Sequence, residues 1–137
     1  MPDKPEVMTY DPKKITSISA GRVDTGLSED GILTVTYNED RVTPSVGAKG
    51  DVTYSENANN SGNIAITFMS TSSSLAHYRD LCARRVPFRY SLSDANDYDA
   101  IHINEENCRV LKMPDMPRTN EQTTVTVNIF VPDLNVR

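Results

Sequence analysis

Four side chains in this 137-residue sequence carry the chemistry of a soft metal site: His77, Cys82, His102 and Cys108. Imidazole and thiolate are zinc ligands, and four of them can close a tetrahedral shell. Their spacings match no recognised zinc site, so no metal is expected. His77 is expected on the solvent face of a helix and His102 on a strand face. A single possible pair of cysteines defines no disulfide framework, so both thiols are expected reduced and partly buried. Hard-cation chemistry has one candidate. Asp94, Asn96 and Glu105 stand at positions one, three and twelve of a calcium loop. Tyr98 falls at position five and Asp99 replaces the glycine that the sharp turn needs, so a solvated acidic turn is the better reading. Gly47, Lys49 and Gly50 suggest a phosphate loop, yet no Lys-Ser/Thr follows a properly spaced second glycine, and the segment reads as a hairpin tip. No serine sits in a nucleophile elbow. Asn59-Asn60-Ser61 is a glycosylation sequon, irrelevant without secretion. The 19 carboxylates are not paired by any spacing. No catalytic, cofactor-binding or metal-ligating residue is expected, and the chain does not read as an enzyme.

The elements that would position such residues are mostly strands. Hydrophobic residues make up 37% of the chain, Trp is absent, and Thr, Ser, Asn and Asp are abundant. That composition suits strands and turns. It also implies a thin core, or apolar surface buried between subunits. The length suggests one domain over residues 1–137. A formal net charge of −5 disfavours ordinary nucleic-acid binding, where basic surface supplies most of the affinity. Residues 1–10 carry charges and prolines rather than an apolar stretch, and no apolar run approaches a membrane span. A soluble protein made in a cytoplasm is expected.

Residues 1–12, with Pro2, Pro5 and Pro12, read as an extended N-terminal arm. Strands are expected at 14–20, 32–37, 62–69, 88–92, 100–104, 108–113 and 121–131. Residues 21–24, 26–31, 38–40 and 93–99 read as turns. The alternation in 62–69 is clean: Ile64, Ile66 and Phe68 fall on one face, Ala65, Thr67 and Met69 on the other. Residues 41–46 and 51–55 read as hairpin arms, with Pro44 confining its strand to an edge. A polar loop follows at 56–62. One helix is expected over about 72–85, capped by Thr71 or Ser72, with Leu75, Tyr78, Cys82 and Leu81 as its apolar stripe and Pro87 as its stop. The sum is mainly β: a small β-sandwich or barrel-like pair of sheets with one helix and a long protruding loop. Structureless connections rarely exceed ~12–15 residues in a compact domain, so the long loop is expected to touch another copy.

Three stretches resemble the inner tail tube proteins of contractile-tailed bacteriophages: MTYDPKKITSISAGRVDTGLSEDGILTV, YNEDRVTPSVGAKGDVTYSENANNSGNIAITFMSTSSS and CRVLKMPDMP. The shared elements are an Asn-acid-Asp turn, a V-G-A-x-G-[DE]-V hairpin, a polar Asn/Ser/Gly linker, an alternating strand, a serine-rich helix start and a Lys-x-Pro-Asp turn. The resemblance covers nearly the whole chain. It implies a subunit of hexameric rings that stack into a hollow tube inside a contractile sheath, the conduit for genome DNA; type VI secretion tube proteins share the architecture. It implies homo-oligomers, sheath, baseplate and tail-terminator partners, DNA passing without specific binding, no membrane, and a place in the virion after assembly in the host cytoplasm.

Under that resemblance the loop of residues 38–62 is the expected inter-ring contact, through Asn38, Glu39, Asp40, Arg41, Val46, Gly47, Lys49, Gly50, Asp51, Asn59 and Asn60. Lumen-facing candidates are Thr34, Thr36, Thr67, Glu39, Asp40, Asp51 and Glu56, because an acidic or neutral wall would not hold phosphate. Competing readings are a secretion-system or bacteriocin tube protein, a monomeric β-sandwich binding module with a static pocket, and a small hydrolase with converging carboxylates.

Overall fold

Alternating apolar and polar side chains set the strands of this protein, whose structure is a computed structural model describing residue 5 and residues 9–28, 33–96 and 101–137. The strands are β1 (Ile15–Ser19), β2 (Arg22–Val23), β3 (Leu33–Tyr37), β4 (Val42–Val46), β5 (Val52–Glu56), β6 (Gly62–Met69), β7 (Phe88–Asp94), β8 (His102–Val110) and β9 (Thr124–Val131). The helix α1 (Ser74–Arg84) lies between β6 and β7, and a 3-10 turn, Pro12–Lys14, precedes β1. Seven antiparallel strands follow the order β2-β1-β7-β8-β9-β6-β3, and β4-β5 form a separate pair.

The seven strands bend into two layers at β8. Residues 102–108 of that strand pair with β7, whereas Arg109 and Val110 pair with β9. Between them the register slips opposite Phe88 and Tyr90, and Asn107 takes a φ of 62°. Asn tolerates this left-handed conformation better than most residues, and the extra residue is a β-bulge that turns the strand. The two strands expected at 100–104 and 108–113 are therefore one. The polar run between them stays extended because its carboxylates face water, where Glu106 pairs with Arg89. Residues 111–113 leave the ladder ahead of Pro114.

Both layers share one core. Ile64, Ile66 and Phe68 of β6 and Val125, Val127, Ile129 and Val131 of β9 bury their alternating faces in it, together with Tyr90 and Leu92 of β7 and Ile103 of β8. Helix α1 lays Leu75, Tyr78 and Leu81 on this core, with the Tyr78 ring 5.5 Å from that of Phe68. Among the described residues nothing joins β2 to β3, so the sheet is open: a sandwich rather than a closed barrel.

Local departures from the sequence reading have local causes. Ala20 (φ 51°) and Gly21 (φ 82°) form a two-residue turn of the primed type, so Arg22 and Val23 pair back on β1 instead of continuing as a turn. The helix starts at Ser74 with Ser73, not the expected Thr71 or Ser72, at its cap position and without a side-chain cap hydrogen bond; Ser72 Oγ accepts from the Ser74 N–H at 3.2 Å from one residue further out. Arg85 closes the helix in the left-handed region. Residues 121–123 precede β9 rather than belong to it. Of the expected arm, residues 1–4 and 6–8 lie outside the described residues; Asp11 is tied to Asn96 through its N–H and its carbonyl. Ile32, residues 29–31 of the turn at 26–31, residues 97–99 of the acidic turn and Ala100 lie outside them too.

Candidate assembly interface

Among the described residues, strands β4 and β5 pair only with each other, in the register Val42↔Glu56, Thr43↔Ser55, Pro44↔Tyr54, Ser45↔Thr53 and Val46↔Val52. Directly opposed residues share a face. One face is therefore Val42, Pro44, Val46, Val52, Tyr54 and Glu56, and the other is Thr43, Ser45, Thr53 and Ser55. The apolar face stands in water, with Val46 68%, Tyr54 67% and Val52 49% exposed. An isolated two-stranded hairpin is marginally stable in water, and its apolar face adds stability only when something covers it.

The hairpin is closed at both ends. At the tip the Gly47 N–H donates to the Asp51 carbonyl at 2.7 Å and the Gly50 N–H to the Gly47 carbonyl at 3.0 Å, with Gly50 at φ 90°, a value costly for any other residue. At the root the Asn57 N–H donates to the Arg41 carbonyl at 2.8 Å. The Asn57 amide reaches Glu39 Oε2 at 2.8 Å and the Asp40 carbonyl at 3.0 Å. The Arg41 guanidinium lies 5.1 Å above the Tyr37 ring.

The expected contact residues thus fall into two groups. Val46, Gly47, Lys49, Gly50 and Asp51 make the tip. Asn38, Glu39, Asp40, Arg41, Asn59 and Asn60 make the root: Asn38 bonds Ser61 and Asn63, and the Asn60 amide donates to Asp133 and to the Leu134 carbonyl. The expected set does not include Pro44, Val52 and Tyr54, the middle of the apolar face. The alternation of Val52 and Tyr54 was legible; the register that sets them beside Pro44 and Val46 was not.

A second surface is the outward face of β3, β6 and β9. Thr34 and Thr36 stand opposite Ala65 and Asn63. Thr67 stands opposite Thr126, their hydroxyls 3.3 Å apart. Asn128 and Phe130 continue the same face, with Arg109 of β8 at its margin. No carboxylate lies on these strand positions. Of the lumen candidates, Thr34, Thr36 and Thr67 come together here, whereas Glu39 and Asp40 lie in the bend after β3, Asp51 at the hairpin tip and Glu56 on the hairpin's apolar face. Two backbone edges flank this surface: the outer edge of β3, and the side of residues 124–128 of β9 away from β6, which has no ladder partner among the described residues. An open cleft of about 450 Å³ runs along that side, lined by Asn63, Thr124, Thr126 and Asn128 and by Leu111 and Met113.

The other candidate ligands of the sequence lie apart among the described residues. His77, expected on the solvent face, is half-buried with Nε2 2.9 Å from the Ser19 carbonyl, because α1 packs over the end of β1. His102 is exposed on β8, Cys82 is half-buried on α1, and Cys108 is buried, its thiol pushed up to about 11 by burial. Among the described residues no three His, Cys, Asp or Glu side chains cluster as metal ligands. Asn96 turns inward to Asp94 and Asp11, while Glu105 lies on β8.

Asp24 is the buried carboxylate of the described residues. Its Oδ2 accepts from Ser17 Oγ and from Tyr78 Oη, each at 2.6 Å. Tyr90 Oη stands 2.6 Å from Ser17 Oγ, and Ser19 Oγ donates to Tyr78 Oη at 2.7 Å. Each hydroxyl can therefore donate once along two chains that both end on the carboxylate. Burial raises the Asp24 pKa, and burial followed by the Asp24 charge raises that of Tyr78. The cluster ties β1, β7 and α1 together beneath the surface.

Residues 16–114 match the family model described as the bacteriophage PhiTE tail tube protein. No curated protein matches the chain by sequence. Among solved structures the fold is similar to the cap that terminates the tube of the anti-feeding prophage, with a TM-score of 0.55 and 10% identity over 98% of this chain and 95% of that one. It is also similar to a chain of the PVC sheath-tube complex, an extracellular contractile injection system in its extended state, with a TM-score of 0.59 and 9% identity over 94% and 91%. The PVC sheath/tube terminator gives 0.50 and 10% over 94% and 96%. Identities this low speak for the fold alone. The family model, which spans most of the chain, bears out the tail tube resemblance read from the motifs, and the chain belongs to the bacteriophage PhiTE tail tube protein family.

Proposed function

We propose that this tail tube protein forms the inner tube of a contractile phage tail, with copies joined side by side into hexameric rings, rings stacked along an axis, and genome DNA passing through the lumen. The observation that carries the reading is the hairpin: an anchored root, a closed tip and an apolar face that this chain leaves in water. Covering that face with another copy removes apolar surface from water, the main driving force of association. The free edges of β3 and β9 supply lateral contacts, since unpaired backbone groups on an edge template further strand pairing. The hexameric count rests on the family resemblance.

The outward Thr/Asn face then lines the channel through Thr34, Thr36 and Thr67, with Glu39 and Asp40 in the adjoining bend, whereas Asp51 and Glu56 belong to the hairpin that meets another copy. The β3, β6 and β9 positions of this wall carry no lysine or arginine to hold phosphate, with Arg109 at the margin alone, so DNA slides without specific binding. Sheath, baseplate and tail-terminator proteins are the proposed partners, in keeping with similar folds seen in sheath-tube and terminator complexes. Assembly takes place in the host cytoplasm. Electron microscopy of the purified protein tests the reading. Wild type is expected to form hollow tubes, and a variant lacking residues 47–50 is expected to stay folded without forming them. A wild type that stays monomeric at high concentration, even with its sheath or baseplate partners, overturns the proposal, and normal tubes from the deletion variant overturn the role of the hairpin.

A further inference from the structure

The large apolar side chains left exposed among the described residues are nine, and seven of them fall into two patches. Val46, Val52 and Tyr54 share the hairpin face. Val86, Leu111, Met113 and Met116 lie beside the C-terminal end of α1, where the chain leaves β8 and runs back along the helix. Leu111 and Met113 line a groove of about 460 Å³ with Cys82, Ala83, Arg85 and Arg109. Met116 Sδ stands 3.6 Å from the Arg79 guanidinium one turn further down the helix.

The two patches carry opposite charge. Residues 39–56 hold Glu39, Asp40, Asp51 and Glu56 against Arg41 and Lys49, a net −2. Around the groove stand Arg79, Arg84, Arg85, Arg109 and Lys112 against Asp80 and Asp115, a net +3 in a chain of net −5. Arg84 is spoken for by Asp80 at 3.0 Å, whereas Arg85 and Arg109 form no ion pair among the described residues. Glu56 shares the hairpin's apolar face, so a carboxylate accompanies the apolar side chains on one patch and guanidinium groups accompany them on the other.

We propose that the hairpin of one copy seats its Val46, Val52 and Tyr54 face in the groove beside α1 of a neighbouring copy, with Asp51 and Glu56 meeting Arg85 and Arg109. The inference rests on the tube reading above and names the surface that receives the hairpin. The contact is between copies, because the hairpin hangs from β3 and β6 while the groove lies across β9 on β8 and α1, and both patches stand exposed in the same chain. It is also heterologous: each copy presents one hairpin and one groove. Such a contact propagates from copy to copy instead of closing on a symmetric pair, as an elongating tube requires. The charges fix which face of the hairpin enters, and so contribute specificity and encounter rate more than affinity.

Cys82 makes the contact testable without altering the groove. In wild-type tubes N-ethylmaleimide should label Cys82 at least ~10-fold more slowly than in dissociated subunits, as expected of a thiol whose access is closed by a partner. Under a mild oxidant, Val52→Cys should give a ladder of linked chains on a non-reducing gel. That ladder should vanish in Val52→Cys/Cys82→Ser and be absent from Thr53→Cys, on the hairpin's other face. Tubes in which Cys82 labels as fast as in free subunits overturn the proposed seat and leave the tube reading intact. So does equal laddering from Thr53→Cys. A wild type that forms no tubes removes both.

Discussion

Replacing Asp24 by Ala should destabilise the subunit by about 2–4 kcal/mol without touching any surface used for assembly. The structure sets the magnitude. Ala removes the acceptor of two 2.6 Å hydrogen bonds, from Ser17 and Tyr78. Hydrogen bonds to a charged group contribute about 1.5–3 kcal/mol each, and a buried donor left without a partner retains its full desolvation penalty. Against this, the carboxylate's own burial is unfavourable, as its raised pKa records, and Ala relieves that part. The net loss is a large share of the ~5–15 kcal/mol that holds a domain together. Asp24→Asn behaves differently. With its amide oxygen in the place of Oδ2 it still accepts from both Ser17 and Tyr78, and its amide nitrogen takes the place of Oδ1, 3.4 Å from Ser19 Oγ, so the expected cost is about 1 kcal/mol. The sign of the pH effect follows from linkage. Burial holds the folded-state pKa above the ordinary aspartate value of 3.8, so the folded chain holds this proton more tightly than the unfolded one. The Asp24 contribution is most favourable below 3.8 and declines as pH rises through the folded-state value. Urea unfolding followed by far-ultraviolet circular dichroism, from about pH 3 to about pH 7, would compare wild type with both variants, and the other carboxylates largely cancel in the differences. Wild type should lose stability relative to Asp24→Asn as pH rises. An Ala variant within ~0.5 kcal/mol of wild type at neutral pH, or a pH-independent gap to Asn, would refute the reasoning.

Val46→Thr, Val52→Thr and Tyr54→Thr together keep strand propensity while removing the hairpin's apolar face. With half to two-thirds of each side chain still to be buried, the loss is about 3–4 kcal/mol per copy, which raises the critical concentration for polymerisation at least ~100-fold in a sedimentation assay; an unchanged critical concentration counts against burial of that face. Gly62→Ala places a Cβ 2.3 Å from Leu134 Cδ2 and 2.8 Å from the Thr36 carbonyl oxygen. Backbone cannot yield there, so a loss of about 1–3 kcal/mol is expected, with Leu134→Ala in the same chain recovering none of the Thr36 clash; calorimetry would read it. Thr34→Lys with Thr67→Lys should leave tubes visible by microscopy but slow DNA release, more at low salt than at high, because phosphate binding weakens as counterions are added. Normal release at low salt would place the Thr/Asn face elsewhere than on the channel.

What the sequence disclosed follows the range of the interactions concerned. β6 is legible to the residue because the large side chains Ile64, Ile66 and Phe68 recur at every second position, and each of them is buried. The helix was legible from Leu75, Tyr78 and Leu81. β8 was misread as two strands because Glu105, Glu106 and Asn107 look like a turn, and only pairing with β7 and a bulge keep them extended. His77 was misplaced for the same reason: its partner is the carbonyl of Ser19, brought beneath α1 by tertiary packing. The Asp24 cluster joins β1, β7 and α1 and has no local signature at all. The hairpin's tip was marked by Gly47 and Gly50, while its apolar face needed the register that pairs Pro44 with Tyr54. The absence of carboxylates from the Thr/Asn face is likewise a property of cross-strand neighbours.

The bend in β8 also fixes an order of events. The hairpin is local, built from residues 42–56, and pairings this short form in microseconds. The groove beside α1 depends on Arg109 and Val110 being held against Phe130 and Ile129, and β9 must at the same time find β6, paired from Met69↔Thr124 to Gly62↔Val131. Contacts between segments that far apart close late, after their loop entropy has been overcome. On the proposed seat, a nascent subunit therefore acquires the inserting hairpin long before the receiving groove. Chains still folding cannot capture one another's hairpins, and elongation waits for subunits whose core is complete. Refolding followed by pulse-labelled hydrogen exchange should accordingly show β6 and β9 gaining protection before any rise in light scattering.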